Sequence, residues 1–297
     1  MTSPGEAAAL VDPRLLQKCI SFLLPQIPEL DVPSKPLIVG LNGLQGAGKT
    51  TLGSALCHVL STSHSLSVLV VSIDDFYLAR SDQANLAASF PNNMLLQFRG
   101  EPGTHDIDLL AKVLNAVVEG RETKIPRYDK SAFGGLGDRL PAKQWDFVNR
   151  TGDRKVQVLL LEGWCVGFRP LRVHDIETKW KGESRTLKQH TFEDLLLVNE
   201  KLEGYEPVTA KFDAFIHLDA EELEWVYEWR LQQEHALIAA KGSGMSDTQV
   251  ETFVDGYYPA YELYYDGVRQ GVIQGKSEKQ LRVIVGKDRK MTQSVEI

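Results

Sequence analysis

One nine-residue stretch constrains this chain more than any other: Gly43-Leu44-Gln45-Gly46-Ala47-Gly48-Lys49-Thr50-Thr51. It has the spacing G-x-x-x-x-G-K-[ST], which holds phosphate when a strand precedes it and a helix follows. Both are expected here. Residues 37–41 are a short apolar run, and Leu52, Ala55, Leu56, Val59 and Leu60 recur at helical spacing. Glycines let successive backbone N–H groups turn inward around phosphate oxygens, where side chains would obstruct them. The helix N-terminus adds partial positive charge. Every residue from Gly43 to Thr51 is therefore a candidate nucleotide contact. Lys49 can reach the β- and γ-phosphates, and the Thr50 hydroxyl can ligate Mg²⁺.

Further apolar runs lie at 68–73, 156–161, 212–218 and 281–285. They are nearly continuous rather than alternating, as suits strands buried on both faces of a parallel sheet. Helical stripes separate them, for example Leu109, Leu110, Val113, Leu114, Val117 and Val118. Alternating strands and helices predict an α/β class, with a doubly wound, mostly parallel sheet flanked by helices. Residues 1–35 read as a helical lead-in punctuated by Pro25, Pro28, Pro33 and Pro36. Residues 36–297 read as a single domain. The Gly-, Arg- and Asp-rich stretch 121–154 and the segment 170–205 read as functional loops and an insertion. Residues 221–245 read as a helical lid, capped by Asp219 with Glu222 at the reciprocal position and hinged on the glycines after Lys241.

With 33 Lys and Arg against 40 Asp and Glu, the net charge is −7. That argues against a general nucleic-acid binder, which needs surplus basic residues. The apolar runs fall well short of the ~20 residues of a spanning helix. Three scattered cysteines suggest neither a disulfide framework nor a zinc site. The first ten residues lack the basic and apolar regions of a signal peptide. A cytoplasmic protein without membrane partners is expected, with monomer favoured.

The second run ends in Asp74-Asp75 and the third in Glu162. Strand C-termini line the ligand crevice of a parallel sheet, so these carboxylates should face the loop. Asp74 is the expected base for an acceptor hydroxyl and a contributor to the Mg²⁺ site, and Asp75 has a supporting role on the acceptor side. Glu162 is the expected metal partner of the loop. Either aspartate could instead cap the next turn.

These residues resemble those of P-loop small-molecule kinases such as uridine kinase, phosphoribulokinase and bacterial pantothenate kinase. The chain is more similar still to the D-glycerate 3-kinase family of plants and fungi, with its yeast ATP-binding relatives. The motifs that carry the likeness are Ser72-Ile73-Asp74-Asp75-Phe76-Tyr77, Gly100-Glu101-Pro102-Gly103-Thr104-His105-Asp106 and Ile125-Pro126-Arg127-Tyr128-Asp129-Lys130-Ser131. Gly137-Asp138-Arg139, Leu161-Glu162-Gly163-Trp164 and Trp229-Arg230-Leu231-Gln232-Gln233-Glu234 complete the set. Together they span about residues 36–290 in matching order. The likeness implies a P-loop NTPase fold with ATP as donor, Mg²⁺ as cofactor, and Asp74 as base. The implied acceptor is a small hydroxy-acid such as glycerate.

An acceptor carboxylate calls for arginine and a few hydrogen-bond donors. Tyr77, His105, Arg127, Tyr128 and Arg139 are the candidates, alongside Asp75. A salt-bridged loop, or for His105 a cap-region filler, is the alternative. The likeness also makes Arg230 a catalytic arginine closing over the phosphates, against an internal pair with Glu234 at i+4. The aromatic stretch 253–265 reads as core. No N-K-x-D guanine motif or ABC-type signature is present, which argues against a GTPase or transport ATPase. A non-catalytic ATP-binding protein is the remaining rival.

Overall fold

A computed structural model describes residues 4–27, 35–242, 244–275 and 277–297. Pro28 and Pro33 of the lead-in, and Ser243 of the glycine hinge, lie outside them. Ten strands are described: β1 (Leu37–Gly43), β2 (Val68–Ser72), β3 (Thr123–Ile125), β4 (Tyr128–Asp129), β5 (Asp138–Arg139), β6 (Asp146–Val148), β7 (Val158–Gly163), β8 (Ala214–Ala220), β9 (Gln280–Val285) and β10 (Met291–Glu296). The described helices are α1 (Pro4–Leu10), α2 (Pro13–Leu23), α3 (Lys49–Ser63), α4 (Arg80–Ser89), α5 (Ile107–Val118), α6 (Val173–Lys181), α7 (Phe192–Glu203), α8 (Glu206–Thr209), α9 (Trp225–Lys241), α10 (Asp247–Asp255) and α11 (Tyr258–Gln270).

The main sheet has the order β10-β9-β8-β1-β7-β2, parallel throughout except for β10. Every residue of β1, β7 and β8 is buried, as their unbroken apolar runs demand. From β1 the chain runs out to β2 and back through β7, then crosses β1 to reach β8. The direction of winding therefore reverses at β1, where the phosphate loop begins. The register sets Leu41 and Ser72 on either side of Glu162. The acids of two strand tips thereby come to the start of the loop.

Helices α1 and α2 pack on α3, and Leu15, Cys19, Ile20, Phe22 and Leu23 join the same core as β1. Asp106 caps α5 by accepting from Leu109 N at 3.0 Å. The aromatic stretch is core as expected: Tyr258, Tyr261, Tyr264 and Tyr265 of α11 are all buried. The loop-rich stretch 121–154 forms two short antiparallel ribbons, β3–β6 and β4–β5.

The expected lid differs in detail. Its helix, α9, begins at Trp225 with Glu224 as an N-cap that makes no side-chain capping bond. Asp219 is not a cap. Parallel pairing with β9 carries β8 on to Ala220, so Asp219 is fully buried within the sheet. Arg269 and Arg282 satisfy it there, with Arg269 Nε at 3.0 Å and Arg282 Nη2 at 2.6 Å. Gly242, at φ 79°, closes α9 as its C-cap.

Candidate active site

Gly46 and Gly48 both have positive φ, 80° and 101°, which lets the chain from β1 curl back into α3. Lys49, the first residue of α3, is buried, and its Nζ donates to Leu44 O at 2.9 Å. Burial pulls the ammonium's pKa down, while Glu162 and Asp74 favour its charge. Thr50 Oγ1 donates to Glu162 Oε1 at 3.2 Å, and Ser72 also bonds this carboxylate. Burial raises the Glu162 pKa, with Lys49 opposing.

Asp74 lies on a single 3-10 turn, Ile73–Phe76, that follows β2. Its Oδ2 accepts from Lys130 Nζ at 2.5 Å, and its Oδ1 is buried with no partner among the described residues. Burial alone would raise its pKa. The Lys130 ammonium outweighs that, helped by His105 and Lys49, and the net shift is downward. A partly buried carboxylate is thus favoured in its ionised form, with one oxygen free.

Lys130 is the residue that sequence reasoning missed. It was visible inside a quoted motif, but its pairing with Asp74 spans 56 positions and no local pattern signals it.

Of the acceptor candidates, several are already paired within the protein. Asp75 accepts from Tyr128 N at 3.0 Å and from Arg127 Nη1 at 2.9 Å. Arg127 also donates from Nε to Asp146 at 2.6 Å. Arg139 holds Asp106 Oδ2 at 3.0 Å and Tyr77 O at 2.8 Å. These contacts strap the ribbons to the tip of β2 and the start of α5, as the salt-bridged-loop alternative describes. Tyr128 packs edge-on to Tyr77 at 5.4 Å.

His105 is buried and stacked on Tyr77, ring centroids 4.5 Å apart. Its Nδ1 lies 2.7 Å from Tyr205 Oη. That hydroxyl accepts from Gly103 N at 3.0 Å, which leaves its own proton for Nδ1. The network therefore assigns the ring hydrogen to Nε2, a buried atom without a partner among the described residues. Burial pushes the imidazole pKa down to about 4, so it is neutral near pH 7. Glu101, in the same motif, is also buried. Both its oxygens lack described partners, and burial raises its pKa well above the usual range.

Arg230 bonds Glu234 Oε2 at 2.8 Å, and Glu234 is 2% exposed. The i+4 pair is thus what the structure holds. A surface groove lined by Leu109, Lys112 and Trp145, among others, shares no lining residue with this site.

Among the described residues no group of three or more His, Cys, Asp or Glu side chains forms a metal cage. The Thr50 hydroxyl and the Glu162 carboxylate, already within hydrogen-bond distance, instead suit a Mg²⁺ ion held largely by substrate phosphates and water. No described helix is long and apolar enough to cross a membrane.

No protein-family model matches the chain. An uncharacterised kinase of Schizosaccharomyces pombe, mug58, is 44% identical over 257 residues, covering 84% of this chain and 87% of that one. The chloroplastic D-glycerate 3-kinase of Arabidopsis thaliana is 38% identical over 239 residues, which cover 79% of this chain but about half (48%) of the plant protein. A solved D-glycerate 3-kinase from Cryptococcus neoformans superposes with a TM-score of 0.84 at 32% identity, over 95% of this chain and 99% of that structure. A parallel sheet with a phosphate loop at its switch point, acids at two neighbouring strand tips and this degree of likeness agree: the chain is a small-molecule kinase of P-loop fold and belongs to the family of D-glycerate 3-kinase and its related fungal kinases.

Proposed function

We propose that the chain transfers the γ-phosphoryl group of ATP to a hydroxyl of a small hydroxy-acid, D-glycerate before others: D-glycerate + ATP → 3-phosphoglycerate + ADP + H⁺. The observation that carries this reading is Asp74, an ionised carboxylate with one buried oxygen free, standing beside Lys49 and Glu162. Phosphoryl transfer asks the protein for position and charge more than covalent chemistry.

Asp74 Oδ1 orients the attacking hydroxyl and takes its proton as the new P–O bond forms and the bond to the leaving ADP oxygen breaks. Lys130 keeps that carboxylate anionic. Backbone amides of residues 43–51 cradle the phosphates, and Lys49 offsets their charge. When bound, Mg²⁺ neutralises further charge on the phosphate oxygens. Thr50 and Glu162 would hold it, with Asp74 nearby.

On the acceptor side, the Nε2–H of His105 and the Nε–H of Arg139 are buried donors available to a carboxylate or hydroxyl. Tyr77 positions that ring by stacking. Asp75, Arg127, Tyr128 and Arg139 shape the pocket through their mutual bonds. Closure of Arg230 over the phosphates is part of the proposal only if it leaves Glu234. The three free cysteines support a reducing, cytoplasmic setting.

The test is an ADP-release assay over a panel of hydroxy-acids, nucleosides and sugars. Glycerate should give the highest kcat/KM. Asp74→Asn should lower kcat by about 10²–10⁴-fold, while ATP dissociation constants stay within about threefold. Undiminished turnover in that variant, or no acceptor-dependent ADP release from the wild type, would refute the reading.

A further inference from the structure

The sheet order fixes which way a nucleotide must lie. Asp74 and Glu162 stand at the tips of β2 and β7, on one side of β1, while β8 and β9 lie on the other. A triphosphate whose terminal group meets Asp74 therefore runs across the loop, and its nucleoside emerges on the β8–β9 side. The turn joining β9 to β10 sits against that edge of the loop. Gly286 N donates to Lys290 O at 3.0 Å to close the turn, and Arg289 Nε donates to Gly46 O at 2.7 Å.

Trp229 completes the arrangement. Its indole Nε1 donates to Lys287 O at 2.9 Å, and its ring lies under the Arg289 guanidinium at 5.2 Å. It also packs so tightly on the loop that a Cβ at Gly46 would come within 2.6 Å of its own Cβ. Arg289 has φ 62°, a conformation that costs energy for a side-chain-bearing residue and that the turn enforces.

The neighbouring charges of the turn are matched. Lys287 pairs with Glu228 at 2.7 Å and Lys290 with Asp288 at 3.1 Å. Arg289 has no carboxylate partner among the described ion pairs, and burial lowers its pKa. A half-buried, strained, unpaired cation beside a loop that already carries Lys49 is an expensive placement unless a ligand uses it.

We infer that Arg289 is a nucleotide-binding residue: held by Gly46 O and backed by Trp229, it presents the other face of its guanidinium to the purine ring of the bound nucleotide. The inference rests on the proposed use of ATP and names the residue that reads its nucleoside half.

Calorimetric binding tests it without turnover. Arg289→Lys keeps the charge and loses the flat face. Its ADP dissociation constant should rise about 5–20-fold, the range of a lost stacking and cation–π contact, while that for inorganic tripolyphosphate stays within about twofold. Arg289→Ala should weaken ADP at least as much. Equal weakening of ADP and tripolyphosphate in the lysine variant would mean that Arg289 only props the loop, and no change in either would remove it from the site. Both results overturn the inference and leave the kinase reading standing. Failure of the wild type to bind ADP or ATP would overturn both.

Discussion

Replacing His105 with glutamine should make the fold less sensitive to acid. The ring is 5% exposed, and burial pushes its pKa from 6.5 down to about 4, with Asp74 opposing in part. The unfolded chain accepts a proton near 6.5, whereas the folded chain refuses one until about 4. The stability linked to this residue is therefore complete above pH 6.5 and drains away as the pH falls toward 4. At 1.36 kcal/mol per unit, the loss between about pH 7.5 and about pH 4.5 is roughly 2.5 kcal/mol. Glutamine has no proton to gain in this range and its amide can still meet Tyr205. Urea unfolding of both proteins at both pH values isolates the effect, because other titrating groups cancel between them. Wild type should lose about 2–3 kcal/mol more than the variant on acidification. Equal losses would show that His105 is not held neutral, and the assigned Nε2 hydrogen would lose its support.

Lys130→Met removes the strongest influence lowering the Asp74 pKa, so the acid limb of the kcat/KM profile should move to higher pH. A limb that stays in place would deny the pair its role. Gly46→Ala meets Trp229 as well as an unfavourable φ, whereas Gly120→Ala, at φ 64° with nothing within 4 Å, meets only the second. Thermal unfolding should show about 1 kcal/mol lost at Gly120 and clearly more at Gly46, and parity between them would refute the close approach. Asp219→Asn leaves two guanidinium groups without their shared carboxylate and should cost about 3 kcal/mol in denaturant titrations. A loss below about 1 kcal/mol would mean that water serves both arginines equally well.

What the sequence disclosed follows from how locally each feature is encoded. The loop from Gly43 to Thr51 is a contiguous motif, and the buried strands announce themselves as apolar runs. Strand-tip acids such as Asp74 and Glu162 could be placed because a parallel sheet gathers its C-terminal ends on one side. Partnerships across the fold were not legible. Lys130 and Asp74, Arg139 and Asp106, and Arg289 and Gly46 meet across 56, 33 and 243 positions. Asp219 misled for a related reason: an acid before a helical pattern reads as a cap, and only pairing with β9 makes it a buried strand residue. The final strand, β10, was overlooked because its alternation is weak, with polar Thr292, Gln293 and Ser294 on an exposed edge.

One further consequence concerns the order in which the molecule can mature. Met291 N donates to Asp12 Oδ2 at 2.9 Å, Arg14 Nη2 donates to Met291 O at 2.9 Å, and Lys18 Nζ reaches Glu296 at 2.6 Å. These contacts join segments some 278 positions apart, directly behind the hairpin that bears Arg289. During synthesis the early helices must wait for β10 before this latch can shut. Until then the phosphate loop lacks its outer support on one flank, so a ribosome-bound chain stopped short of residue 291 should hold nucleotide poorly even with Lys49, Asp74 and Glu162 already made.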